Sequence, residues 1–264
     1  MNRKIFPLTL ILLLTACKAS ETQLFHKKPE PMAPDPAPQA SDLNADQLIA
    51  RYLTARGGEP QLKSITTVRM TGTWTRDDNT SPITVLISPG RFLRRIAQGA
   101  EVTSINAIDG PSAWQLNPRN GIVKPTPMSA KDEVRFRRLA DPQGPLVDAK
   151  AKGNKPEVVG RMTWNGTPVY KLKLTFSDGD ATYYYLDAKS FLPIRVVGSQ
   201  YVPQLNKNID IELTYQDYRN VGGVKWPFQE KARSPEINFS QSITWAKIEV
   251  NQPLDAAAFK APKG

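Results

Sequence analysis

The chain has one cysteine, Cys17, and one histidine, His26, among 264 residues. A lone cysteine rules out a disulfide within the chain, so any folded part must be held by a packed core. Nucleophilic catalysis of the Ser-His-Asp or Cys-His kind needs a histidine beside the nucleophile, and zinc sites draw on His and Cys ligands. Both residues stand ahead of the segment that reads as folded, which argues against those chemistries and against a metal site. Phosphate-cradling glycine loops are missing as well, since Gly57-Gly58 follows a helical pattern and leads to no Lys-Ser/Thr pair. Carboxylate pairs remain at Asp77-Asp78 and Asp178-Gly179-Asp180. They can be read as acid and base or as calcium ligands, but both fall at expected turns, where Asp bonds to local backbone. The expectation is a protein that is not an enzyme and needs no cofactor.

Long apolar runs are scarce too, apart from the start. Arg3 and Lys4 precede an apolar stretch from Ile5 to Leu14, broken by Pro7, and small residues Thr15 and Ala16 follow. Residues 1–16 have the layout of a secretory signal and are too short to span a bilayer. Leu14-Thr15-Ala16-Cys17 resembles the lipobox of bacterial lipoproteins; an ordinary signal peptide with an incidental cysteine is the alternative. The resemblance implies cleavage before Cys17 and a thioether-linked diacylglycerol on it, with acyl chains such as palmitate anchoring the protein to a membrane. One chain holds only marginally at about 0.8 kcal/mol per methylene, so two or three are needed. Lys18, in place of Asp, implies passage to the periplasmic face of the outer membrane. Removing Arg3 and Lys4 from 35 bases, against 25 acids, leaves a formal charge of +8. Behind a secretory signal the partners for such a surplus are lipid headgroups, lipopolysaccharide or acidic envelope proteins, not nucleic acid; plain solubility is the other reading.

Residues 17–40 hold Pro29, Pro31, Pro34, Pro36 and Pro38 among polar and small residues, the composition of a tether, at roughly 3.1 Å per residue where extended. A folded domain is expected over 41–264. Asn44 and Gln47 form a capping box for a helix with an apolar stripe of Leu48, Ile49, Tyr52 and Leu53, and Gly57-Gly58 ends it. Glu59-Pro60 opens a short second turn carrying Leu62 and Ile65. From Thr66 the period changes to two: Val68, Met70 and Trp74, then Tyr170, Leu172, Leu174 and Phe176, then Ile209, Ile211, Leu213 and Tyr215 alternate with polar residues, as half-buried strands do. Further strands are expected at 82–88, 91–98, 101–108, 112–117, 121–124, 156–164, 181–187, 191–198, 223–230 and 236–250. Asp109-Gly110, Asn165-Gly166, Asp178-Gly179 and Gly222-Gly223 mark hairpins, so the sheet is mostly antiparallel. A helix is expected at 129–140, with another helical turn near 146–151.

The aromatics fit either a packed core or the lining of an incompletely closed barrel that holds an apolar ligand. On the second reading the cavity candidates are Met70, Trp74, Trp114, Leu172, Leu174, Phe176, Tyr184, Leu213 and Trp226. Thr182 to Leu186 is apolar on both faces, as in a strand covered on both sides. Arg91, Arg94 and Arg95, with Lys131, Arg135, Arg137 and Arg138, form two basic clusters. They are either solvated faces or a surface that meets anionic headgroups or an acidic partner; Arg91, Arg94, Arg95, Arg135 and Arg138 are the candidates.

Several local patterns belong together: Asp109-Gly110 followed by Trp114; Tyr185-Leu186-Asp187 with Phe191-Leu192-Pro193-Ile194; Tyr215-Gln216-Asp217-Tyr218-Arg219 followed by Gly222-Gly223-Val224-Lys225-Trp226-Pro227; and a closing Leu254-Asp255 with Phe259 and Pro262. With the lipobox and the opening helix, they resemble the LolA/LolB-like superfamily of periplasmic lipoprotein carriers and receptors over residues 41–264. The resemblance implies a mainly β, α+β fold: a strongly curved antiparallel sheet forming an unclosed half-barrel, with two or three helices over its concave face. It also implies an apolar cavity for acyl chains of a lipid or acylated protein, and transfer or sorting toward the outer membrane. A second implied role is an envelope protein-interaction or stress-sensing module. Tyr201 to Leu205 is the candidate for an exposed apolar transfer loop.

Overall fold

A computed structural model describes residues 34–76, 79–98, 102–202 and 205–262. The signal segment, Cys17 and His26 lie outside the described residues, as does the Asp77-Asp78 pair. Helix α1 (Ala45–Arg56) begins where the sequence says it should: Asn44 Oδ1 accepts from Gln47 N at 2.9 Å, and Gln47 Oε1 accepts from Asn44 N at 3.0 Å. Gly57, at φ 131°, stops it. A side chain there is impossible on a second count, because a Cβ would lie 2.1 Å from the carbonyl oxygen of Gly223. That close approach ties the helix end to a hairpin turn more than 160 residues away along the chain. Helix α2 (Glu59–Lys63) follows, with Pro60 in its first turn.

The strands are β1 (Val68–Arg76), β2 (Asn79–Ser88), β3 (Arg91–Gln98), β4 (Val102–Asp109), β5 (Ser112–Asn117), β6 (Ile122–Pro127), β7 (Lys155–Trp164), β8 (Thr167–Thr175), β9 (Ala181–Asp187), β10 (Pro193–Val202), β11 (Lys207–Val221), β12 (Val224–Ser234) and β13 (Phe239–Val250). Helix α3 (Ala130–Leu139) stands between β6 and β7. All thirteen strands form one antiparallel sheet in the order β6-β5-β4-β3-β2-β1-β13-β12-β11-β10-β9-β8-β7, which is not closed. Its first and last strands in the chain meet in the middle, and α3 connects its two free edges.

Register decides which side chains face inward. Met70, Val85, Arg94 and Asn106 are successive cross-strand partners on one face, while Arg69, Leu86, Leu93, Ala107 and Trp114 are partners on the other. The first face meets α1, α3 and the segment 140–154, and its large cluster includes Leu48, Tyr52, Phe136, Leu146, Leu172 and Trp226. The second face carries a smaller cluster of Leu86, Leu93, Ala107 and Trp114, closed by Phe259.

Two expectations change. Residues 145–153 are a string of turns, not a helical segment, with Asp148 at φ 51°; the buried Lys152 ammonium holds this stretch by donating to Asp141 at 2.9 Å and to the Gly144 carbonyl at 2.8 Å. Residues 34–40, read as the end of the tether, are docked on the outer face of the sheet. Gln39 forms an antiparallel bridge with Arg161 of β7, crossing where Gly160 leaves room: a Cβ there would lie 2.4 Å from the Gln39 oxygen. Asp35 accepts from Lys171 at 2.5 Å, from Arg195 at 2.7 Å and from the Tyr185 hydroxyl. This segment therefore covers the outer side of β9, where the apolar run around Tyr185 had called for cover.

Candidate functional site

Helix α3 closes the mouth of the half-barrel because its last turn is tied to both halves of the sheet. Ser129 caps it by accepting from Asp132 N at 3.2 Å, and Asp132 and Glu133 occupy the first turn, complementing the helix dipole. In the last turn, Arg137 donates to the carbonyls of Gly110 and Pro111, at 2.6 and 2.7 Å, in the β4–β5 turn. Arg138 pairs with Asp178 and, at 2.8 Å, with Asp180 in the β8–β9 turn. The two turns belong to opposite halves of the sheet, so α3 bridges the gap between them. Phe136 fixes it from below against Phe92, with ring centroids 5.6 Å apart.

Beside α3, toward β9, β10 and β11, lies a cleft of about 570 Å³ whose walls include Lys131, Val134, Arg138, Ala181, Gln200 and Tyr201. Its lining is mixed. Val134 is 43% exposed, and the Lys131 ammonium lies 3.5 Å from the centre of the Tyr201 ring. Gln200 is buried, and its Oε1 has no hydrogen-bond partner among the described residues.

Register splits the expected basic cluster. Arg94 faces inward, 2% exposed, under α3; it donates to Asn106 Oδ1 at 2.6 Å and has no carboxylate partner among the described residues. Burial, and then the nearby Arg135, pull its guanidinium down to about 9. Burial likewise lowers Arg135, against the pull of Asp132. Arg94, Arg135 and Arg138 therefore gather at the mouth. Arg91, paired with Asp109 at 2.7 Å, and exposed Arg95 lie on the outer face and are not part of the same surface.

The expected cavity residues divide as well. Met70 and Tyr184 line an interior pocket, and Trp74, Leu172, Leu174, Phe176, Leu213 and Trp226 are core side chains on the same face. Trp114 is on the other side of the sheet, donating from Nε1 to the Phe259 carbonyl at 2.9 Å. The described residues leave little room here: the pocket between α1 and β9–β12 has only about 30 Å³. Of the loop expected at Tyr201 to Leu205, Tyr201 and Val202 belong to β10, Val202 is buried, Leu205 packs against the core, and Pro203 and Gln204 lie outside the described residues. Asp178-Gly179-Asp180 is a turn, as expected, and its carboxylates hold Arg138.

Two polar groups in the interior were not anticipated, although the sequence carried a signal for each. Arg56 continues the apolar stripe of α1, four residues after Tyr52, and Glu230 occupies an inward position of β12 between Phe228 and Ala232. A charged residue at an apolar register position marks a polar site inside a core.

No protein-family model matches the sequence, and no curated protein does. Solved structures do. A DUF1329 family protein from Desulfovibrio piger superposes with a TM-score of 0.54 at 14% identity, over 82% of this chain and 97% of that one. A LolA superfamily protein from Nitrosomonas europaea gives 0.54 at 14%, over 83% and 98%. A putative outer membrane lipoprotein-sorting protein domain from Vibrio parahaemolyticus gives 0.55 at 12%, over 80% and 94%. The chain has a LolA/LolB-like fold. In this LolA-like half-barrel the mouth is spanned by α3, and the concave side is packed with the protein's own residues.

Proposed function

We propose that this is a lipid-anchored envelope protein, held through Cys17 at the periplasmic face of the outer membrane, that binds acyl chains of lipids or lipoproteins and assists their transfer. It acts by binding and performs no chemistry. The observation that carries this reading is the cleft of about 570 Å³ at the mouth, inside the range of roughly 300–1,000 Å³ typical of ligand sites. Among the described residues no helix is long and apolar enough to cross a membrane; the attachment in this reading is the acylated cysteine. Because the interior offers about 30 Å³, a chain passes deeper only when α3 lifts, which requires the contacts of Arg137 and Arg138 to break.

The test uses the full-length chain with Cys17→Ser, purified without harsh detergent and examined by native mass spectrometry and lipid extraction. A bound acylated molecule is expected, lost when Val134→Trp fills the cleft. A chain that carries no lipid and takes up no acyl probe overturns the reading.

The filled interior favours a second role, a docking module for an envelope protein. That role predicts a stoichiometric protein partner that is retained in a lipid-free chain.

A further inference from the structure

The small interior pocket has more polar atoms than partners. Tyr52, Arg56, Tyr184, Tyr215, Tyr218 and Glu230 stand on its walls. Part of this set is satisfied: Tyr52 Oη accepts from Arg56 Nη1 at 2.9 Å, Tyr218 Oη donates to the Pro193 carbonyl at 2.7 Å, and Glu230 Oε1 accepts from Trp245 Nε1 at 2.6 Å. Arg56 Nε, Tyr215 Oη and Glu230 Oε2 have no hydrogen-bond partner among the described residues. Trp226 Nε1 has none either, and the Arg56 guanidinium stands 5.3 Å from the centre of the Trp226 ring. Burial is deep, with Arg56 at 7%, Tyr215 at 8% and Glu230 at 3% exposure.

A buried polar group without a partner is destabilising, and several around one hole imply an occupant. Most of the unpaired atoms are N–H or O–H donors, so the missing group is an acceptor. Arg56 forms no ion pair among the described residues, and a buried guanidinium without a carboxylate calls for an anion. The room, about 30 Å³, fits roughly two water-sized groups, as many as the oxygens of one carboxylate.

We propose that this pocket is a carboxylate site, in which Arg56 Nε and the Tyr215 hydroxyl donate to the bound oxygens. The carboxylate comes either from a small free acid, which the pocket holds as it stands, or from the head of a fatty acid, whose chain enters the interior only once α3 lifts. For the small acid the site goes beyond the mouth reading, since it requires only the interior pocket. Glu230 tunes it. Burial pushes its carboxyl up to about 7, against the Trp245 hydrogen bond, so below that pH it is neutral and donates, and above it the charge repels a bound anion. The other groups facing it are Tyr215 and Tyr218 from β11, both kept protonated by burial, Tyr184 from β9, and Tyr52 and Arg56 from α1.

The full-length chain is titrated with [1-13C]acetate and [1-13C]palmitate at pH 6 and pH 8 and followed by 13C NMR, with uptake of the apolar probe diphenylhexatriene measured in parallel. A bound carboxylate resonance is expected at pH 6, about tenfold weaker binding at pH 8, and at least tenfold loss in Arg56→Met. Tyr215→Phe, which keeps the ring and the packing, weakens binding severalfold, and Glu230→Gln abolishes the pH step while binding persists. Acetate binding assigns the site to small acids; palmitate binding without acetate assigns it to a fatty-acid head. Palmitate held equally well by Arg56→Met and Tyr215→Phe overturns the carboxylate site and leaves the mouth reading standing. Failure of the wild type to bind either acid also overturns it, whereas diphenylhexatriene uptake reports on the mouth reading alone.

Discussion

Arg56 of α1 and Arg195 of β10 are both buried arginines, packed against opposite faces of the sheet, and they are treated in opposite ways. On the outer face, Arg195 donates from Nε to Glu212 and from Nη1 to Asp35, both at 2.7 Å, and Glu212 also accepts from Arg233 at 2.6 Å. Although burial pulls it down, hydrogen bonds to Asp35 and Glu212, with the electrostatic pull of Tyr185 and Glu212, raise the Arg195 pKa. On the inner face, Arg56 rests on the rings of Tyr52 and Trp226 and meets no carboxylate among the described residues. The outer network is complete and therefore structural; the inner one lacks a member. A half-barrel whose walls were wholly apolar would gain nothing from that incomplete set.

The largest effect that tests this contrast is Glu212→Ala. It removes a partner from a buried pair and is expected to cost about 3–5 kcal/mol, read as a lower urea midpoint. Arg56→Met, which removes the unpaired Nε at the loss of one hydrogen bond to Tyr52 and keeps an apolar stem, should change stability by less than about 1 kcal/mol. Equal losses at the two sites would erase the distinction.

Next comes pH. Glu230 titrates near 7 when folded, above its ordinary 4.5, so the native state binds the proton more tightly. Stability attributable to this group is present below pH 4.5 and lost as pH rises through 7, up to about 3 kcal/mol at full extent. Asp141, raised to about 6 mainly by burial, acts in the same direction, so the difference between wild type and Glu230→Gln in melting curves at pH 5 and 8 isolates Glu230. A variant that retains the full slope refutes the assignment.

Smaller still is Asp35→Asn. It loosens the outer clip by about 1–2 kcal/mol and speeds amide exchange at Gln39 and Arg161, whose two bridge bonds are 2.8 and 2.9 Å. The smallest effect is that of Asp178→Asn with Asp180→Asn, within about 1 kcal/mol globally because these are partly exposed pairs. It shows instead as faster exchange along α3. Unchanged exchange there would mean that Arg137 alone holds the mouth.

Local rules account for much of what the sequence revealed. Alternation from Tyr170 to Phe176 marked β8, the Asn44 and Gln47 pair marked the start of α1, and Gly57 marked its end, each within a few residues of the feature it controls. Facing was harder to read. Trp74 and Trp114 look alike in sequence, yet only a register counted through β1 to β5 places one inside and the other outside. The docking of residues 34–40 was hidden because its strongest contacts, from Asp35 to Lys171, Tyr185 and Arg195, are ionic and span 136 to 160 residues, beyond any local period. Filling of the interior leaves no pattern at all, since free volume is a sum over many side chains.

The docked segment also settles where the chain enters the domain. Ala181 and Ser199 form a rim shared by the mouth cleft on one side and, on the other, by an outer groove that holds Pro34 and Asp35. Pro34, the first described residue, thus sits beside the doorway itself. A force applied at Pro34 would fall on the entrance, not on the far end of the barrel.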